Sequence, residues 1–339
     1  MLKLVLLFVG LLTLILLVWH IGPDRIYEAA SQLGSVGLLL LLIPSTIMYI
    51  VEAYGWKITL GPSAKNIPFW RVFAIRAAGE VVNLTTPTAY VGGEPLKAYL
   101  LTKHRVPMVE GLASVVIAKT TMTIAQVVFI LLGIALAFWT FGAGGSSGQT
   151  VAAALVSVAL LMLGTAALVF VQHKGLFSWI LEFQRKIGLK ITYLETREKK
   201  LRSLDRTILD FYRDNRLTFT FSTVLFLLGW MAEAAEAALI LYFLGSPTTA
   251  LSAISIGALA SFIKSGTFFI PGSLGAQDGG NMLVLKAFGY SDVTGITFAL
   301  IRRFRELVWI GLGLLCLALV GGKAADIRES RIDDLGDRS

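Results

Sequence analysis

Two stretches decide how this chain is read: Thr85-Thr86-Pro87-Thr88-Ala89-Tyr90-Val91-Gly92-Gly93-Glu94-Pro95 and Ile270-Pro271-Gly272-Ser273-Leu274-Gly275-Ala276-Gln277-Asp278-Gly279-Gly280. Each puts an acid seven residues after a proline inside an apolar region, and the two prolines are 184 residues apart. At that offset, without gaps, Gly111 falls on Gly295, Lys119 on Arg303, Glu52 on Glu236 and Gly61 on Gly245. Proline and glycine interrupt helices, and a carboxylate at membrane depth is costly. Neither stretch therefore reads as ordinary spanning helix. A duplicated, broken segment carrying charge is the pattern of a carrier's binding site.

The surrounding composition fits. Of 339 residues, 55% are hydrophobic and 15% charged, with mean hydropathy +0.74. A soluble domain is about 25% charged, so this is an integral membrane protein. Leu4 to Trp19 follows a single Lys3 and lacks a small-x-small cleavage site before Gly22-Pro23-Asp24, so it reads as a retained first span. The net charge of +8 does not point to nucleic acid, because the bases concentrate beside hydrophobic spans. The lone Cys316 excludes an internal disulfide. His20, His104 and His173 fall at span ends, without the paired spacing of a metal site; no metal or cofactor is expected.

A span needs about 20 apolar residues. Candidates run over roughly 2–21, 37–60, 108–141, 150–172, 217–244 and 293–321, while 66–102 and 249–289 are interrupted by the two motifs. Segment 97–110 holds Lys97, Lys103, His104 and Arg105. Segment 173–216 holds eleven Lys/Arg against six acids, and Gly142–Thr150 and Gly245–Ala250 are uncharged. The positive-inside rule puts the basic segments in the cytoplasm. Counting through from an inside N-terminus, 66–102 dips in from the cytoplasm and 249–289 from outside. The expected fold is an all-α polytopic membrane protein with about six full spans and two re-entrant helical hairpins in an inverted repeat. Residues 1–322 form one membrane domain, with repeats over about 37–141 and 221–321. An amphipathic cytoplasmic segment spans 173–216, and 323–339 is a cytoplasmic tail. In that segment Leu194, Leu201, Leu204, Ile208 and Phe211 recur at helical spacing, which suits either the anionic inner leaflet or packing on the bundle. Trp19, Trp139 and Trp179 read as interfacial anchors.

Thirteen charged residues fall within or beside apolar stretches: Glu52, Arg76, Glu80, Glu94, Lys119, Glu233, Glu236, Lys264, Asp278, Arg302, Arg303, Arg305 and Glu306. Each costs about 2.5–3.5 kcal/mol at a helix centre, so they should face an interior cavity and pair. Lys119 and Arg303 are repeat-equivalent and, with Arg76 and Lys264, offer donors to an anionic headgroup. Alternatively, Lys119, Arg302, Arg303 and Arg305 are counter-ions of Glu80, Glu94, Asp278 and Glu306, with Arg302 and Arg305 nearer an interface. Gly92, Gly93, Gly272 and Gly275 would let a headgroup approach the backbone, and Pro87, Pro95 and Pro271 break helices. Glu94 and Asp278 read as coupling groups or helix caps. Asn83 shares a face with Glu80 and reads as structural or ligand-binding. Glu52 and Glu236, equivalent in the repeat, are candidates for coupling and rank above Glu233. Arg76 with Glu80 reads as an acid/base pair, but no activated nucleophile, metal cluster or nucleotide loop accompanies it.

Gly79-Glu80-x-x-Asn83-x-x-x-Pro87, then Gly92-Gly93-Glu94-Pro95-x-Lys97, then Pro271-Gly272-x-x-Gly275-x-x-Asp278 resembles the flippase-like membrane family. That family includes the membrane portion of lysylphosphatidylglycerol synthases and a hopanoid-associated subgroup, which the Gln277-Asp278-Gly279-Gly280 run resembles. The resemblance covers about 5–322. It implies two re-entrant elements and movement of an anionic or modified lipid between leaflets of a prokaryotic inner membrane, both termini being cytoplasmic. Lipid-biosynthesis enzymes and further copies of the chain are the expected partners. No acyl-transferase domain is expected after Gly322, so synthase activity is not carried over. Asp278 stands where the family often has Glu. The alternatives to a flippase-like transporter are a non-transporting scaffold of lipid biosynthesis and an intramembrane lipid-modifying enzyme.

Overall fold

The computed structural model describes residues 22–65, 67–86, 92–141, 162–167, 169–172, 174–186, 197–267 and 275–321, with isolated positions at 8–19 and at 159. Most of the expected spans 2–21 and about half of 150–172 lie outside these residues, as do Pro87, Pro271, Gly272, Leu194, His20, His173 and the tail.

The described residues are helical, without strands. We label the helices α1 (Pro23–Thr59), α2 (Phe69–Thr85), α3 (Gly93–Thr102), α4 (Met108–Phe141), α5 (Leu176–Lys186), α6 (Glu198–Asp214), α7 (Arg216–Phe243), α8 (Ala250–Gly266), α9 (Ala276–Ala287) and α10 (Asp292–Val320). Among them Ser31–Thr59, Met108–Thr140 and Arg216–Phe243 are long and apolar enough to cross a membrane. Local chemistry sets the ends. Gly34, at φ +67, divides α1, a backbone conformation open to glycine at little cost. Thr249 and Ser291 cap α8 and α10 by accepting from Ser252 N and Thr294 N. Thr85 and Thr86 turn their hydroxyls back onto the Val81 and Val82 carbonyls just before Pro87. Pro95 corrects an expectation. It sits in the first turn of α3, where its missing N–H is not needed, so it starts a helix rather than breaking one.

Four helices of the first half, the part of α1 after Gly34 with α2, α3 and α4, correspond in order to α7, α8, α9 and α10. Contacts between them come in matched pairs. As α2 packs on α10, α8 packs on α4; α1 on α10 is matched by α7 on α4, and each α2–α3–α4 contact has its counterpart in α8–α9–α10. The two equivalent helices α1 and α7 pack on each other and run antiparallel. Ser222 donates to the Gly55 carbonyl (3.0 Å), Gly229 lies against Glu52, and Gly37 lies against Phe243. Small residues permit these approaches: Gly133 on α4 faces Ala258 on α8, and Gly313 on α10 faces Ala77 and Val81 on α2.

The described residues of the amphipathic segment form two helices, α5 and α6. Leu204, Ile208 and Phe211 of α6 are buried against Leu112, Ala113 and Ile117 of α4, so the apolar face of α6 is taken up by the bundle.

Candidate functional site

Among the described residues the interior charges form a lattice of four ion-paired clusters, seven acids and seven bases in all. Arg76 of α2 pairs with Glu52 of α1, not with Glu80 as its i,i+4 spacing suggests. Glu80 instead takes Lys97 at 2.9 Å, and Lys97 also reaches Glu94 at 3.1 Å. Lys97 was expected among the cytoplasmic bases that set topology; it is buried, because α3 folds back along α2 and carries it inward. Glu94 completes this half with Lys119 of α4 at 3.6 Å. In the other half Arg303 holds Asp278 through two nitrogens (2.7 and 3.1 Å) and Glu306 at 2.7 Å, while Lys264 of α8 lies 3.6 Å from Glu306. Arg302 pairs with Glu233 and lies 3.5 Å from Glu236, and Arg305 lies 3.3 Å from Glu236. Arg302 and Arg305 are thus deeply buried within the bundle. Two acids one turn apart on α7 meet two bases three apart on α10, which draws both faces together.

Gly79, Gly93 and Asn83 serve the crossing of α2 and α3. Asn83 Oδ1 accepts from Gly93 N (2.7 Å) and its Nδ2 donates to Glu94 (3.1 Å), so both ends of the amide are committed within the protein. A side chain on Gly93 would meet the Gly79 carbonyl and Asn83, and one on Gly79 would meet Lys97. Their missing side chains bring α2 and α3 together. Gly92 precedes α3 in helical conformation, and Gly275 adopts φ +73 at the head of α9. There Asp278 accepts from Gly275 N (3.1 Å), so this acid is a cap as well as a partner of Arg303.

Inside the lattice lies a cavity of about 280 Å³. Charged groups on its wall are Glu52, Arg76, Glu80, Lys119, Glu233, Lys264, Arg305 and Glu306, and the rest includes Tyr49, Met122, Gln126, Trp230, Ser265 and Trp309. A smaller recess lined by Glu80, Glu94, Lys97 and Lys119 adjoins it through shared residues. Gln126 donates to Ser265 (2.9 Å), tying α4 to α8 beside the two lysines. The Tyr49 and Trp309 rings stack at 3.8 Å, and the Arg76 guanidinium lies 5.5 Å from the Tyr49 ring centre.

Two donor groups on this wall, both ammonium groups, have capacity left. Lys119 and Lys264 keep 39% and 31% of their side chains exposed, each with one loose ion pair, and an ammonium carries three N–H groups. Arg76 Nη1 and Trp230 Nε1 are buried without a hydrogen-bond partner. These two atoms, like Arg305 Nε, are enclosed by protein and do not open onto the cavity.

Among the residues expected at the site, Glu52, Arg76, Glu80, Lys119 and Lys264 line the cavity and Glu94 lines the recess. Asn83, Gly93, Arg302, Arg303 and Glu236 are buried in the surrounding framework, and Asp278 and Gly275 stand at the head of α9. Sequence reasoning missed Lys97, Trp230 and Gln126 and ranked Glu233 too low. Lys97 follows the Gly92-Gly93-Glu94-Pro95 run by a single residue, which was its signal, whereas Trp230 carried none.

Fold and site define a multi-pass helical membrane protein with an ionic interior cavity. The chain belongs to the family described as the lysylphosphatidylglycerol synthase TM region, which matches residues 1–314. It is similar to a UPF0104 membrane protein of Methanothermobacter thermautotrophicus, 24% identical over 306 residues that cover 86% of each chain. No solved structure matches it.

Proposed function

We propose that the protein is a flippase-like carrier that moves an anionic or modified lipid between leaflets, holding the headgroup in the cavity while the tails stay in the bilayer. The observation that carries this reading is the pair of partly exposed ammonium groups on one cavity wall, Lys119 and Lys264. Together they suit a phosphate-bearing headgroup, which takes several charge-assisted hydrogen bonds at once. Antiparallel packing of the equivalent helices α1 and α7 supports an inverted repeat, with α2–α3 and α8–α9 as hairpins entering from opposite faces. Residues 1–322 then act as one membrane domain in a prokaryotic inner membrane, with both termini cytoplasmic. The protein works as a carrier without cofactor rather than as an enzyme, in company with lipid-biosynthesis enzymes or with its own copies.

The test is headgroup movement in proteoliposomes, read as loss of a fluorescent phosphatidylglycerol analogue to an impermeant reductant. Lys119→Ala with Lys264→Ala should cut the rate at least about ten-fold, as expected when two charge-assisted contacts are lost. Unchanged transport in a double variant that elutes as a folded protein would sink the proposed site. No transport by the wild type across a panel of lipids would favour the scaffold alternative.

A further inference from the structure

Helix α5 presents a face that nothing among the described residues covers. Leu181 and Gln184 turn inward, while Trp179, Ile180 and Phe183 are exposed at 47%, 37% and 49%, and the Trp179 and Phe183 rings stack at 5.4 Å. This face is held in place from α6. Asp205 accepts from Phe177 N (3.1 Å), Ser178 N (2.7 Å) and Ser178 Oγ (2.6 Å), anchoring the first turn of α5. Arg185 near the other end reaches Glu198 at 2.6 Å. An outward aromatic face fixed at both ends is a built surface rather than a frayed one.

Its location narrows what can cover it. The apolar side of α6 lies against the first turns of α4, and α6 runs through Asn215 directly into α7. The α5–α6 unit therefore sits at the end of the bundle where α4 and α7 begin. The turn before α4 carries Lys103 and Arg105, and α5 itself is bracketed by Lys174, Arg185 and Lys186 against a single acid, Glu182. An amphipathic helix with aromatics on one side and bases at the edges lies in the headgroup boundary and favours anionic lipid. Trp is also the residue enriched at that depth.

We propose that the outward face of α5 is a docking surface for an anionic leaflet, with Trp179, Ile180 and Phe183 inserted at headgroup depth and Lys174 and Lys186 holding acidic lipid around them. This surface is separate from the cavity and stands without the carrier reading. It gives the protein a preference for acidic lipid as its boundary, whatever the cavity takes.

The experiment uses the full chain in nanodiscs, with Cys316→Ala to remove the one native thiol and Ile180→Cys carrying an NBD label. Spin-labelled phosphatidylglycerol and spin-labelled phosphatidylcholine are compared as quenchers at equal mole fraction. The expected result is quenching by both, about two-fold or more stronger with the anionic lipid, with the difference shrinking in high salt. Adding Lys174→Gln and Lys186→Gln, which leave the Asp205 and Arg185–Glu198 anchors intact, should close the gap between the two lipids while leaving quenching by phosphatidylcholine in place. No quenching by either lipid would overturn the proposal and leave the face to a protein partner. Equal quenching by the two before the charge substitutions would overturn its anionic character. None of these positions lines the cavity, so transport in the same preparations reports separately on the carrier reading.

Discussion

Lys119 and Arg303 stand 184 residues apart at equivalent positions of α4 and α10, and each reaches the acid that follows its own half's broken segment. In the second half the contact is closed: Arg303 is 5% exposed, grips Asp278 through two nitrogens and also holds Glu306. In the first half it is loose: Lys119 sits 3.6 Å from Glu94 with 39% of its side chain facing the cavity. The chemistry of the two bases accounts for the contrast. A guanidinium is a planar fork that suits a buried two-point pair, whereas an ammonium is a mobile point charge that keeps donors in reserve. One repeat position thus serves as framework in one half and as cavity wall in the other.

The largest effect should come from breaking the closed half. Arg303→Ala leaves Asp278 and Glu306 short of their main counter-charge inside the protein, and removing one partner of a buried pair costs about 3–5 kcal/mol. Thermal unfolding in detergent, followed by size exclusion, should show a variant far less stable than the parent. Behaviour like that of Lys119→Ala would erase the distinction between the halves. A smaller difference separates the two helix crossings. At Gly93 a methyl group meets the Gly79 backbone carbonyl, which cannot move aside, while at Gly280 it meets the Ile263 side chain, which can. Gly93→Ala should cost about 1–3 kcal/mol and Gly280→Ala clearly less, measured in the same assay. Equal costs would mean that the first crossing is as yielding as the second. The smallest stability effect belongs to Lys119→Ala, below about 1 kcal/mol for a loose, solvent-facing pair. A loss comparable to that of Arg303→Ala would make Lys119 part of the framework too.

The halves differ in how well the sequence announces them. The register of 184 and the two broken segments are visible from the spacing of Pro87 to Glu94 and Pro271 to Asp278, because prolines, glycines and intramembrane acids each carry a cost that needs a reason. Partners are not visible in this way. Arg76 lies four residues before Glu80, which suggests a pair within one helix, but α1 brings Glu52 closer. Lys97 looks like one more base beside Lys103 and Arg105 until α3 is folded against α2. Pro95 looks like a breaker until its position in the first turn is known. Sequence spacing tells which charges must be satisfied, whereas the crossing of helices decides by whom.

Among the described residues the ion lattice is balanced, seven acids against seven bases, each held in at least one pair. Such an interior has no charge of its own to lend a passenger. For the proposed carrier, a headgroup with one negative charge takes that charge through the membrane field undiminished, at about 2.3 kcal/mol per 100 mV, while a zwitterionic headgroup does no electrical work. The voltage dependence of transport therefore becomes a measure of the cargo: the molecule, being electrically silent, lets the lipid declare its own charge.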